Sequence, residues 1–166
     1  ILKHNLLKEN GRVVALSSMA ASYWPKGFDI EDLNFEKRNY SSSLAYAASK
    51  TANILMMEEL QRRFDQEGKG RLAFSVHPGF VRTKLVRENS IAKFVALAIW
   101  PLYWSVSLSP REGVQCTLHA VTSTEITKIG GSYFVNLRRV PSVHSTKNPE
   151  IAAQLWKVSI EKTGFH

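Results

Sequence analysis

The chain has 166 residues, 44% hydrophobic and 22% charged, with a formal net charge of +8. That length and balance describe one folded domain with a sizeable core, and they exclude a disordered or collagen-like chain. A lone cysteine, Cys116, rules out an intramolecular disulfide and supplies no cysteine cluster for a metal.

The positive charge is scattered over Arg62-Arg63, Lys69, Arg71, the Arg82–Arg87 stretch and Arg138-Arg139. No basic run or nucleic-acid motif accompanies it, so a solvated surface is expected and nucleic acid is not expected as a partner.

In chain order, Ile1–Lys8 reads as the last turns of a helix, ended by Glu9-Asn10-Gly11. No cap precedes Ile1 and no signal peptide is visible, so residues 1–166 are expected to form a single partial domain. Arg12-Val13-Val14-Ala15-Leu16 has the near-continuous apolar pattern of a strand buried in a parallel sheet. It ends in Ser17-Ser18, at the carboxyl end, where ligands sit in open α/β sheets. A long connection, Met19–Ser43, follows.

The strongest helical pattern runs from Ser43 to Gln66, with Ala48, Ala52, Leu55, Met56, Leu60 and Phe64 at three-to-four spacing and Gly68 beyond. Its first turns hold Tyr46 and Lys50, four residues apart and therefore on one face. A phenol titrates near ~10, and an ammonium held beside it favours the phenolate, so the pair suits general acid/base work. Taken alone, the same pair reads first as ordinary helix surface, and only the rest of the chain gives it another meaning.

Arg71–Val76 is a second buried-type strand, followed by His77-Pro78-Gly79. Residues 91–108 are the most apolar stretch, but Lys93 and Pro101 argue against a membrane span. Core packing, a lid over an apolar substrate and a segment resting on a membrane surface are the three readings. Ser109-Pro110-Arg111-Glu112 forms a capping box with proline at N1, opening a helix to about Thr122. Gly130-Gly131 leads into a third strand, Ser132–Val135, and Asn148-Pro149 caps a last helix through Ile160. The alternation of helices and strands argues for a parallel sheet with helices on its faces.

Three sites therefore share one rim: Ser18 after the first strand, Tyr46 with Lys50 in the next helix, and Pro78-Gly79 with Thr83 after the second strand. A hydroxyl donor, a phenol and a cation together suit proton transfer to a carbonyl oxygen.

The combination of Gly11–Ser18, Tyr46-x-x-x-Lys50 within YAASKTANIL, and His77-Pro78-Gly79-Phe80-Val81-Arg82-Thr83 resembles the short-chain dehydrogenase/reductase family. The long link from Ser18 to Tyr46 and the ending GGSYF…AAQLW are similar to its retinol dehydrogenase and WW-domain oxidoreductase branch. The resemblance implies the C-terminal half of a doubly wound, Rossmann-like α/β parallel sheet with flanking helices. It implies Ser18, Tyr46 and Lys50 as catalytic residues, Ser18 being chosen over Ser17 by alignment to the family pattern. Tyr46, Lys50, Pro78, Gly79, Val81 and Thr83 are implied as cofactor contacts, Thr83 reading equally as a helix N-cap. His77 is read as structural. The implied cofactor is NADP or NAD, the branch tilting toward NADP. The implied substrate is a hydrophobic alcohol, ketone or aldehyde.

The family's GxxxGxG phosphate loop does not occur in this sequence. A sheet lacking the strands before Arg12 would leave an apolar edge unpaired. Each exposed Val or Leu forgoes ~1.5–3 kcal/mol against a domain margin of ~5–15 kcal/mol. The 166 residues alone are therefore expected to be inactive, with a non-catalytic interaction module as the alternative. Peripheral membrane contact through 91–108, homo-oligomerisation, and an intracellular site in the cytoplasm or at a membrane such as the endoplasmic reticulum complete the expectations.

Overall fold

A computed structural model describes residues 7–23, 28–81, 107–141 and 149–164. Four strands form one sheet in the order β1 (Arg12–Leu16), β2 (Leu72–His77), β3 (Tyr133–Val135), β4 (Arg138–Val140). β1 and β2 run parallel with Arg12 opposite Leu72 and Leu16 opposite Val76, and β2 and β3 run parallel with Ser75 opposite Tyr133. The expected α/β architecture with a parallel sheet and flanking helices is what the chain adopts.

β4 turns back antiparallel to β3 through Asn136 and Leu137, both with positive φ. Two such residues make the tight connection a right-twisted hairpin favours. The sequence does not announce β4, because Arg138 and Arg139 are exposed and lack apolar alternation. Charge of this kind suits a sheet edge. The opposite edge differs: β1 is Val13-Val14-Ala15 in its middle and, among the described residues, pairs on one side only. Its last residue, Leu16, is 51% exposed, whereas every residue of β2 is buried.

Alternation along β2 sends Leu72, Phe74 and Val76 to one face and Ala73, Ser75 and His77 to the other. On the first face, helix α3 (Pro110–Thr122) packs Cys116 and Ala120 onto Phe74, Val76 and Phe134. The rings of Phe74 and Phe134 meet edge-on at 5.8 Å. Arg12 reaches over to donate to the Ala120 carbonyl at 3.0 Å. The capping box at its start is complete: Ser109 Oγ accepts from Glu112 N, and Glu112 Oε2 accepts from Ser109 N at 2.7 Å.

On the second face lies α2 (Ser42–Glu67), whose Leu60 and Phe64 cover Ala73. It ends at Gly68 in the left-handed conformation, as the glycine after a helix should. The Met19–Ser43 connection contains a short helix, α1 (Ala20–Tyr23), and a 3₁₀ turn at Ile30–Asp32. The last helix, α4 (Pro149–Thr163), packs Ala152 and Leu155 against Leu55 of α2. Leu7 and Lys8 are not helical, and the rest of the expected opening helix lies outside the described residues. So do Thr83 and residues 91–106.

α2 also buries a carboxylate. Glu59, 2% exposed, takes both Arg62 donors at 2.7 Å and Arg63 Nε at 2.8 Å. Arg63 in turn stacks 4.6 Å from the Trp156 ring of α4. The Arg62 hydrogen bonds hold the Glu59 carboxyl below the ordinary carboxylate range, against the opposing pull of burial. A carboxylate whose pKa is lower folded than unfolded adds stability above its unfolded value, and loses it as pH falls through the folded value. Stability should therefore fall on acidification below about pH 4.5, the ordinary value. Glu59→Gln is expected to flatten that acid limb and to cost about 1 kcal/mol at neutral pH, because both guanidinium groups face solvent. Urea unfolding at several pH values reads both effects.

Candidate active site

The rim is built where β1 runs out. Ser17 is buried; its N–H donates to the Val76 carbonyl at 2.7 Å, continuing the sheet one residue past the strand. Its hydroxyl donates to the Lys50 carbonyl at 2.7 Å, so the hydrogen of Ser17 is committed to α2. Ser18 is half-buried and behaves differently. Its Oγ accepts from Ala20 N at 3.2 Å, opening α1, and among the described residues no group accepts its own hydrogen.

Lys50 reaches back to the same strand. Its ammonium lies 3.5 Å from the Leu16 carbonyl and 5.5 Å from the centre of the Tyr46 ring. Tyr46 is 46% exposed, one helical turn earlier on the same face. The four-residue spacing therefore does place phenol and ammonium side by side, at the end of the strand that carries Ser18. A third α2 side chain joins them: Asn53 Nδ2 donates to the Leu16 carbonyl at 2.9 Å.

The segment after β2 meets the next strand of chain from the side. Gly79 has φ +87°, and a Cβ there would lie 2.6 Å from Leu108 Cδ1. The left-handed backbone angle favours glycine, and a larger residue would also have to push the end of the Leu108 side chain aside. The Phe80 carbonyl accepts from Leu108 N at 2.7 Å, and Val81 bridges Leu108 in parallel fashion. Val81 presses its side chain on Gly113 of α3, where a Cβ would come within 2.3 Å. What Val81 offers to the rim is therefore its backbone. Pro78 and Gly79 are half-buried at the carboxyl end of β2, beside the end of β1.

Two further groups underlie the rim. His77 is buried with Nδ1 unpartnered, and burial pushes its pKa down, so it stays neutral. Tyr133, in β3 opposite Ser75, is buried too, and burial pushes its phenol up to about 12. The neighbouring Ser17 hydroxyl acts in the other direction, and Tyr46 adds to the rise. A phenol at about 12 is not a proton donor or acceptor suited to neutral pH.

Ser17 and Asn53 were not singled out as site residues from the sequence. For Asn53 the available signal is its i,i+3 spacing from Lys50. For Ser17 it is adjacency to Ser18 alone. Among the described residues, no group of three or more His, Cys, Asp or Glu side chains is placed to hold a metal. A cleft of about 340 Å³ between the 30–37 turn and α4 includes none of the rim residues. No described helix is long and apolar enough to cross a membrane.

No family model matches the chain. It is 37% identical to human Retinol dehydrogenase 12 over 154 residues, covering 93% of this chain and 46% of that protein. To mouse Retinol dehydrogenase 11 it is 33% identical over 174 residues, covering 99% of this chain and 51% of that protein. A crystal structure of an uncharacterized protein from Mycobacterium paratuberculosis superposes with a TM-score of 0.63 at 32% identity. That match covers 90% of this chain and 49% of the other. The chain spans about half the length of the curated relatives it matches. By sequence and by fold, then, these residues resemble about half the length of retinol dehydrogenases, which are members of the short-chain dehydrogenase/reductase family.

Proposed function

We propose that this chain supplies the catalytic part of an NAD(P)-dependent oxidoreductase that interconverts an alcohol and a ketone or aldehyde on a hydrophobic substrate. The observation that carries the reading is the Tyr46–Lys50 pair, the ammonium 5.5 Å from the ring centre, tied by Ser17 to the end of the strand that leads into Ser18. The likeness to retinol dehydrogenases supports the substrate class.

In the reducing direction, Tyr46 passes its hydroxyl proton to the substrate oxygen. Ser18, whose hydrogen meets no acceptor among the described residues, donates a hydrogen bond to the same oxygen and fixes it there. Lys50 places a positive charge beside the phenolate that the transfer leaves. When bound, NAD(P)H supplies the hydride that reaches the carbonyl carbon.

The rim has the donor chemistry for the ribose beside the nicotinamide, because the Lys50 ammonium and Tyr46 hydroxyl are both reachable from solvent. Pro78, Gly79 and the Val81 backbone line the adjacent strand end, and Thr83 completes the set by sequence. Nothing in this sequence fits the diphosphate, since no GxxxGxG is present. The half-exposed apolar edge of β1 supports reading these residues as one part of a larger sheet.

The test is turnover by the natural full-length product with NADPH and NADH, against aldehydes of rising hydrophobicity. Reduction that strengthens with hydrophobicity, and with NADPH ahead, is expected. No turnover of any aldehyde or alcohol with either cofactor would overturn the reading.

A further inference from the structure

We propose that Leu137 is a specificity-determining residue, whose side chain forms part of the wall on which the apolar chain of the substrate rests. The proposal rests on the function just given. What carries it is a leucine set where neither the backbone nor the core has a use for one.

Val135 pairs with Arg138, so the turn between β3 and β4 holds only Asn136 and Leu137, at φ 49° and 64°. A two-residue turn with both angles positive favours asparagine first and glycine second. Asparagine tolerates the left-handed region, whereas the Cβ and branched side chain of leucine resist it. Burial does not compensate, since Leu137 is 49% exposed. A left-handed backbone held at an exposed bulky residue is the kind of local strain met at functional sites.

The turn sits at the rim. Val135, the last residue of β3, lies opposite His77, the last of β2, so the turn begins level with Pro78-Gly79. Asn136 Oδ1 lies 3.9 Å from where a Gly79 Cβ would stand. Phe80, beside Gly79, is 70% exposed. Two exposed apolar residues therefore flank the strand end proposed to line the nicotinamide. Neighbouring strands lie about 4.8 Å apart, so β3 stands roughly 10 Å from β1, which leads into Ser18. A decyl chain with its oxygen at Tyr46 spans that gap. The further strands inferred for the natural full-length product join at β1, the opposite edge, and leave this turn where it is.

The measurement is the affinity of decanol and of hexanol for the natural full-length product with NADP present, by titration calorimetry. In Leu137→Gly decanol is expected to bind about tenfold more weakly, as the loss of part of a leucine's burial implies. Hexanol, too short to reach the turn, is expected to bind unchanged. Leu137→Asn, polar and also at ease in the left-handed region, gives the same result should glycine loosen the hairpin. Leu137→Met, apolar and of similar size, is expected to restore decanol binding. Wild-type decanol affinity in a folded Leu137→Gly or Leu137→Asn protein would overturn the proposal. So would equal losses for the two alcohols, the mark of a merely structural role, or a wild type that binds no decanol. Turnover is read separately: a wild type that binds decanol but oxidises no alcohol ends the functional reading, while the binding comparison still stands.

Discussion

Replacing Tyr46 by phenylalanine is expected to lower turnover about a thousandfold, the range in which positioned acid/base groups act. The change removes one oxygen and leaves the ring against which Lys50 sits. Tyr46 is largely solvent-facing, so no buried hydrogen bond is broken and folding should be unaffected. Ser18 keeps its hydrogen bond from Ala20, and Lys50 keeps its approach to Leu16. Cofactor affinity should weaken only a few-fold, through loss of the Tyr46 hydroxyl from the ribose side, while kcat collapses, and the far larger fall in kcat marks an interaction made in the transition state. Steady-state kinetics and cofactor titration on the natural full-length product separate the two quantities. A kcat within a few-fold of wild type would remove Tyr46 from proton transfer.

The largest effect on stability is expected away from the rim, at Gly130→Ala. A Cβ on Gly130 would fall 2.2 Å from Gln61 Oε1 and 2.3 Å from its Cδ. Gln61 is buried and has no slack. Its Oε1 accepts from Ala73 N at 2.7 Å, and its Nε2 donates to Asp65 at 2.7 Å and to the Arg71 carbonyl at 3.3 Å. The side chain thus serves the start of β2 as a strand partner would. Moving it leaves the Ala73 N–H unmet inside the protein, and keeping it forces overlap. The neighbouring Gly131 is already at φ +78°, with its N–H donating to the Ala73 carbonyl at 2.7 Å, so the loop cannot step aside. A loss of about 2–4 kcal/mol is expected by urea unfolding. In the pair Gly130→Ala with Gln61→Ala the overlap is gone, and the two costs should sum to more than the double variant shows. Strict additivity would show that Gly130 and Gln61 do not crowd one another.

The elements that read clearly from sequence are those whose signal is local. The box Ser109–Glu112 needs only four residues to specify a helix start, and α2 carries its apolar face and terminal glycine within one stretch. The strand β2 is apolar on both sides because helices cover both, which a continuous run such as Leu72–Val76 already implies. β4 is different. Arg138-Arg139-Val140 becomes a strand only because Asn136 and Leu137 turn it onto β3, a consequence of pairing rather than of composition. α1, only four residues long, is likewise opened by the Ser18 hydroxyl.

The candidate site follows the same division. The Tyr46–Lys50 spacing is legible on any helix, whereas choosing between Ser17 and Ser18 by residue chemistry needs knowledge of where each hydrogen goes. Ser17 gives its hydrogen to a carbonyl 33 positions further along the chain, and Asn53 reaches a carbonyl 37 positions back. Contacts of that range have no sequence signature.

The proposal that these residues move a proton in step with a hydride is tested most directly by isotope transfer. The natural full-length product is supplied with a hydrophobic aldehyde and NADPH or NADH carrying deuterium at the transferable position of the nicotinamide. The alcohol is then analysed by mass spectrometry. One deuterium is expected on the carbinol carbon of each alcohol formed, with almost no alcohol formed by Tyr46→Phe. Alcohol without the label, or labelled alcohol at undiminished rate from Tyr46→Phe, would contradict the proposal.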